Sequence, residues 1–233
     1  MKKLWQTNKK GLNKVVEAFE TKDDILLDEA IATFDVQGSL AHAKMLQKIG
    51  IISESELKKL ETGLNEILKL IKVGKFKLKM GEEDIHTKIE NYLIKKYGKV
   101  GKKIHTARSR NDQVLTALRL YSKAKLAEVK KETASLILSF ESFGSKYEAI
   151  PMPGYTHMQK AMPSTISMWS DSFIANLKDD LTTLQEIKKL IDQSPLGSAA
   201  GYGVPIKIDK TYTAKLLKFS KVQDNPIYCQ HSR

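Results

Sequence analysis

Between residues 166 and 191 apolar side chains return every three or four positions, at Ile166, Trp169, Phe173, Leu177, Leu181, Leu184, Ile187 and Ile191. That spacing lays them along one face of a helix of about seven turns. A stripe this long is stable in water only when other helices cover it, which restricts the chain to architectures of long packed helices. The period recurs at Leu57, Leu60, Leu64, Ile67, Leu68 and Ile71, behind Ser53 and Glu56 in capping-box spacing, and predicts a helix over 57–71. Further helices are expected over 28–49, stopped by Gly50, over 83–97, stopped by Gly98, and from Gln113 to about Tyr147. "KFKLKM" at 75–80 alternates but lies between Gly74 and Gly81, and reads as a short extended link. "AIPMPGYTH" and "QSPLGSAAGYGVP" interrupt the helical period with proline and glycine, so both read as loops. The expected fold class is all-α, with a helical N-terminal domain over 1–110 and the opening helices of a bundle over 111–233.

Charge narrows the partners. The 233 residues hold 39 Lys and Arg against 27 Asp and Glu, a net +12 that favours anionic ligands. Residues 99–131 concentrate it, with ten basic side chains against Asp112 and Glu128. That segment has one aromatic, Tyr121, and no nucleic-acid reading motif, which argues against a nucleic-acid partner. No run of about 18 apolar residues and no apolar stretch behind "MKKLWQTNKK" occurs, so neither membrane span nor secretory signal is expected, and the location expected is cytoplasmic. The single cysteine, Cys229, reads as a buried or incidental thiol rather than a reactive one.

Two polar stretches carry the chemistry. In "HTARSRNDQ", at 105–113, Arg108 and Arg110 have forked donors that suit carboxylates, and Asn111 both donates and accepts. Their place ahead of a long helix adds backbone donors and the positive end of its dipole. The plainer reading is that Ser109 or Asn111 caps the helix while the arginines form ion pairs. In "PMPGYTHMQ", at 151–159, His157 stands among hydroxyl and amide groups, and histidine is the side chain best suited to moving protons near neutrality. His42, inside a helical pattern, reads as a surface or interface residue. His86 and His105 have no second ligand at metal spacing, so no metal site is expected, and no phosphate loop or nucleotide fingerprint is present.

Taken together, "FDVQGSLAHAKML", "EEDIHTKIE", "KIHTARSRNDQV", "MPGYTHMQKAMP" and "SPLGSAAGYG", in this order, resemble the argininosuccinate lyases of the fumarase and aspartase superfamily. The resemblance covers nearly the whole chain. It implies a truncated fumarase/aspartase-type central bundle and a reversible β-elimination that splits argininosuccinate into fumarate and arginine, with no metal or organic cofactor. It also implies a homotetramer whose sites each draw on three subunits. On this resemblance Asn111 and Thr156 contact substrate, Arg110 supports its carboxylate end, and His157 belongs to the proton-transfer machinery. His86 lines the site, and Gln159 orients either substrate or the histidine. Outside this reading stand another lyase of the superfamily and a non-catalytic helical protein that binds anionic ligands.

The chain departs from the family pattern in three places. Leu4-Trp5 is followed by Gln6-Thr7 where members carry a Trp-Gly-Gly-Arg-Phe-like segment, and Asp24 stands where others place a substrate-contacting serine. The block Ser-Ser-x-Met-Pro-x-Lys-x-Asn, whose serine shares the proton transfer, is absent, and the sequence breaks off in mid-pattern at "YCQHSR". The expectation is therefore the N-terminal part of such an enzyme, inactive by itself.

Overall fold

The computed structural model describes residues 19, 24–79 and 82–232, so the departures at Leu4 to Thr7 and at the Asp24 side chain lie outside the described residues. Helix α1 spans Asp24–Lys48, α2 Glu54–Lys72, α3 Ile85–Tyr97, the short α4 Lys99–Lys102 and the long α5 Arg110–Lys146. A hairpin of β1, Pro151–Thr156, and β2, Gln159–Thr165, leads into α6, Ile166–Ile191. After β3, Gln193–Ser194, come α7, Lys210–Leu216, β4, Lys221–Val222, and α8, Pro226–His231.

These helices start and stop where side chains satisfy their ends. Ser53 caps α2 through the Glu56 N–H while the Glu56 side chain accepts from the Ser53 N–H, so the capping box is formed in both directions. Asp84 caps α3 by accepting from the Thr87 N–H at 2.7 Å. Leu60, Leu64 and Ile67 of α2 then meet Ile85, Ile89 and Leu93 of α3 and Val36, Met45 and Leu46 of α1 in one buried cluster. Each such side chain contributes about 1.5–3 kcal/mol on burial. The 3-10 turn Lys103–His105 adds Ile104 to this core, and α4 approaches α3 so closely that a Cβ on Gly101 would collide with the backbone of Leu93 and Ile94. Residues 75–79 form neither helix nor paired strand, with Phe76 and Leu78 buried.

The chain divides into two compact units, one holding the described residues up to Tyr121 and from Asp192 onward, the other Ser122–Ile191. Residues 192–232 thus group with the first unit. The cause is a buried knot around α5. The Asp112 carboxylate, fully buried, accepts from the backbone N–H groups of Gly197 and Ala199, and Arg119 donates to the Gln193 carbonyl at 2.7 Å. Leu120, Leu196, Ala214, Leu217 and Phe219 close an apolar cluster over it, and β3 pairs parallel with β4. "QSPLGSAAGYGVP" thus opens with a two-residue strand and is buried from Gln193 to Ala199, while Tyr202 beyond them is exposed.

In the second unit α6 has the bounds its stripe predicts. Ser170 donates to the Phe140 carbonyl at 2.8 Å, and Phe140 stacks on Phe173 with ring centroids 5.3 Å apart, Trp169 packing edge-on against both. Of the stripe, Trp169, Phe173 and Ile187 stay exposed, so part of it is uncovered within this chain. "AIPMPGYTH" is a correction to the loop reading, because residues 151–156 form a strand of a hairpin. Proline cannot donate to a ladder, but in a two-stranded ribbon each strand has a free edge, and Pro153 sits opposite Pro163. The register shifts at Gly154, where a Cβ would lie 2.7 Å from the Met162 carbonyl oxygen. Among the described residues no helix is long and apolar enough to cross a membrane.

Candidate functional site

Arg110 is the first residue of α5 and Ser109 its cap. The Ser109 hydroxyl accepts from the Asn111 N–H at 3.3 Å, and Asp112 reaches back to accept from the Ser109 N–H at 2.9 Å. Capping, the plainer reading of this stretch, is therefore present, and it is what aims Arg110 toward the first turn of α3. There Arg110 Nη1 pairs with Glu83 Oε1 at 2.5 Å and Asp84 Oδ2 at 2.9 Å, and Nη2 donates to Thr87 Oγ1 at 3.2 Å.

Beside this pair lies a cavity of about 140 Å³ whose polar wall is formed by His86, Glu90, His105, Arg108, Arg110 and Gln113. Arg108 is buried rather than presented at the surface. It donates to Ser39 Oγ at 2.9 Å, its Nε has no hydrogen-bond partner among the described residues, and burial pushes its guanidinium down to about 10. His86 is buried, with Nδ1 in contact with the Asp35 carboxylate. Burial, followed by the charges of Arg108 and Arg110, lowers His86 to about 3 and His105 to about 4. Burial also raises Glu90, against the pull of Arg108 and Arg110. The wall thus offers cationic forks and neutral imidazoles, a combination suited to gripping carboxylates and hydrogen-bonding an adjoining polar group.

The remaining candidate residues belong to the other unit. Thr156 and Gln159 are the last facing pair of the β1–β2 hairpin, and His157 and Met158 form its two-residue turn. Both turn residues have positive φ, 53° and 64°, the conformation that two-residue hairpin turns demand and that non-glycine residues adopt at a cost of about 1–3 kcal/mol each. All three candidates are exposed at this tip. Asn111, Arg110 and His86 therefore gather in one unit of the chain, and Thr156, His157 and Gln159 in the other.

His42 corrects the surface reading. It is 1% exposed, with Nε2–H donating to the Thr106 carbonyl at 2.8 Å, because the face of α1 that carries it also carries Met45 and Leu46 into the core. Burial, then Arg108, lowers it from 6.5 to about 3. The unfolded chain therefore binds a proton on this residue that the folded chain refuses, so its share of stability is complete above about pH 6.5 and is lost as pH falls below that. Urea midpoints are expected to drop between pH 7 and pH 5, and His42→Leu to remove up to about 2 kcal/mol of that drop. A drop equally steep in the variant would show that other groups carry it.

Periodicity did not reveal Asp35, Ser39 and Gln113 as partners of the cavity wall. The available signal was a charged residue with a hydroxyl four positions later on an otherwise apolar face of α1. Cys229 is buried, as its solitary place in the sequence suggests.

A family model described as lyase matches residues 11–231. The chain belongs to this lyase family. Argininosuccinate lyase of Thermotoga neapolitana is 49% identical over 233 residues, covering 99% of this chain and 58% of the relative. That of Phocaeicola vulgatus is 41% identical over 231 residues, covering 99% of this chain and 52% of the relative. This lyase chain thus spans about half the length of the curated relatives it matches. Among solved structures, a variant of EDDS lyase with bound fumarate superposes with a TM-score of 0.79 at 24% identity, over 96% of this chain and 44% of that one. A fumarate lyase:delta crystallin from Brucella melitensis bound to cobalt gives 0.75 at 20% identity, over 94% and 54%. The lyase chain shares their helical fold.

Proposed function

We propose that the complete protein splits argininosuccinate reversibly into fumarate and arginine, in the cytoplasm and as a step of arginine biosynthesis. The observation that carries this reading is the 49% identity to an argininosuccinate lyase along 99% of the chain. The chemistry of the wall agrees with it. A proton beside a carboxylate is weakly acidic, so an enzyme that removes it must stabilise charge building on that carboxylate while one group takes the proton and another assists the departing nitrogen. Arg110 and Asn111 serve the carboxylate end, Arg110 using donors beyond those already engaged by Glu83 and Asp84. Thr156 and Gln159 hold the substrate from the hairpin, His86 lines the site, and His157 moves the proton. The second proton-handling group comes from outside these 233 residues, which contain no Ser-Ser pair.

In this reading the partly uncovered stripe of α6, with Trp169, Phe173 and Ile187 exposed, is the face by which four copies pack, and each site takes its blocks from several subunits. The complete protein, mixed with argininosuccinate, is expected to release fumarate, seen as ultraviolet absorbance, while the 233-residue chain alone releases none. Fumarate from a different N-substituted aspartate and none from argininosuccinate would assign another elimination. Turnover by the purified chain alone would refute the division of the proton-transfer groups.

A further inference from the structure

His86, Gln113 and Arg108 line the cavity from α3, from α5 and from the turn before α5, and all three depend on a single carboxylate set behind the wall. Asp35 of α1 is 1% exposed. Its Oδ1 accepts from Gln113 Nε2 at 2.8 Å and from the Ser39 hydroxyl at 3.2 Å, and its Oδ2 accepts from Gln113 Nε2 at 3.0 Å and from His86 Nδ1. Ser39 extends the hub, since the same hydroxyl accepts from Arg108 Nη1 at 2.9 Å. One buried residue thereby joins three wall residues of different chemistry: an imidazole, an amide and a guanidinium.

The geometry also decides which ring nitrogen of His86 carries the proton. An ionised carboxylate only accepts, so a bare Nδ1 against Asp35 would set two lone pairs in contact, whereas Nδ1–H makes a charge-assisted bond. Burial and the neighbouring arginines keep the ring neutral near pH 7, and a neutral imidazole with its proton on Nδ1 has a lone pair on Nε2. We propose that Asp35 is a positioning residue of the candidate site, holding His86 as the Nδ1–H tautomer so that Nε2 is a hydrogen-bond acceptor in a wall otherwise rich in cationic donors. The wall then divides by chemistry. Arg108 and Arg110 take carboxylate oxygens, and His86 takes an N–H of the ligand, such as that of a substituted amine or guanidine. The ligand half of the inference rests on the proposed argininosuccinate reading; the tautomer does not.

The test is nitrogen-15 NMR of histidine in the 233-residue chain with no ligand added, the His86 signal being assigned by its loss in His86→Gln. At pH 7 the His86 signals are expected to show a proton on Nδ1 and a bare Nε2. In Asp35→Asn, whose amide both donates and accepts, the Nδ1–H form should no longer dominate while circular dichroism holds. A His86 protonated on Nε2 in the unmodified chain, or a tautomer unchanged in folded Asp35→Asn, overturns the proposal. Should Asp35→Asn fail to fold, the unmodified chain decides by the same signals. In the complete enzyme Asp35→Asn is expected to raise KM for argininosuccinate about tenfold, the worth of one hydrogen bond. An unchanged KM beside the expected tautomer would remove the ligand contact and leave the positioning. Because the tautomer is read without substrate, failure of the proposed activity and failure of this inference give different results.

Discussion

His157→Ala in the complete enzyme is expected to lower turnover about 10²-fold or more, the least that a general acid or base contributes. The melting temperature and helix content should hardly move, because His157 is exposed at the tip of the β1–β2 hairpin and none of the core clusters includes it. Turnover within about threefold of the unmodified enzyme would end the assignment of the histidine to proton transfer.

Asp112→Ala is expected to cost about 3 kcal/mol or more of stability, visible as a large fall in the urea midpoint. The carboxylate accepts from three backbone N–H groups, those of Ser109 at 2.9 Å, Gly197 at 2.9 Å and Ala199 at 3.0 Å. Burial raises its pKa and the three N–H groups oppose that shift, so the site is built around an acceptor that water does not reach. Alanine leaves those donors buried without it and releases the turn at 193–203 from α5. Asp112→Asn, which keeps an accepting oxygen, should cost less. A change below about 0.5 kcal/mol for the alanine variant would mean the turn holds by its own apolar contacts at Leu196 and Phe219.

Several of the same residues show why some positions could be read early and others not. Pro151, Pro153, Gly154 and Pro163 mask the hairpin in the local sequence, and cross-strand pairing from Pro151↔Thr165 to Thr156↔Gln159 overrides them. Nothing local in the sequence marks His42 or Arg108 as buried, since histidine and arginine are mostly exposed. Their burial depends on partners 64 and 69 residues away, the Thr106 carbonyl and the Ser39 hydroxyl. Arg110 matched a carboxylate-binding pattern, yet the charges it meets in this chain are those of Glu83 and Asp84, which no spacing within "HTARSRNDQ" discloses.

By itself the sequence determined the five long helices and the residue types offered to the candidate site. The bounds of α6, the capping box at Ser53 and Glu56 and the stops at Gly50 and Gly98 are local, since period, cap and terminal glycine act within a turn or two of the chain. The tertiary structure decided what those residues face. It gathered Asp35, Ser39, His86, Arg108 and Gln113 from α1, α3 and the start of α5 around one carboxylate, and drew residues 192–232 onto the first unit through Asp112. Those arrangements follow from satisfying buried charges across long sequence separations, an energy that no local pattern records.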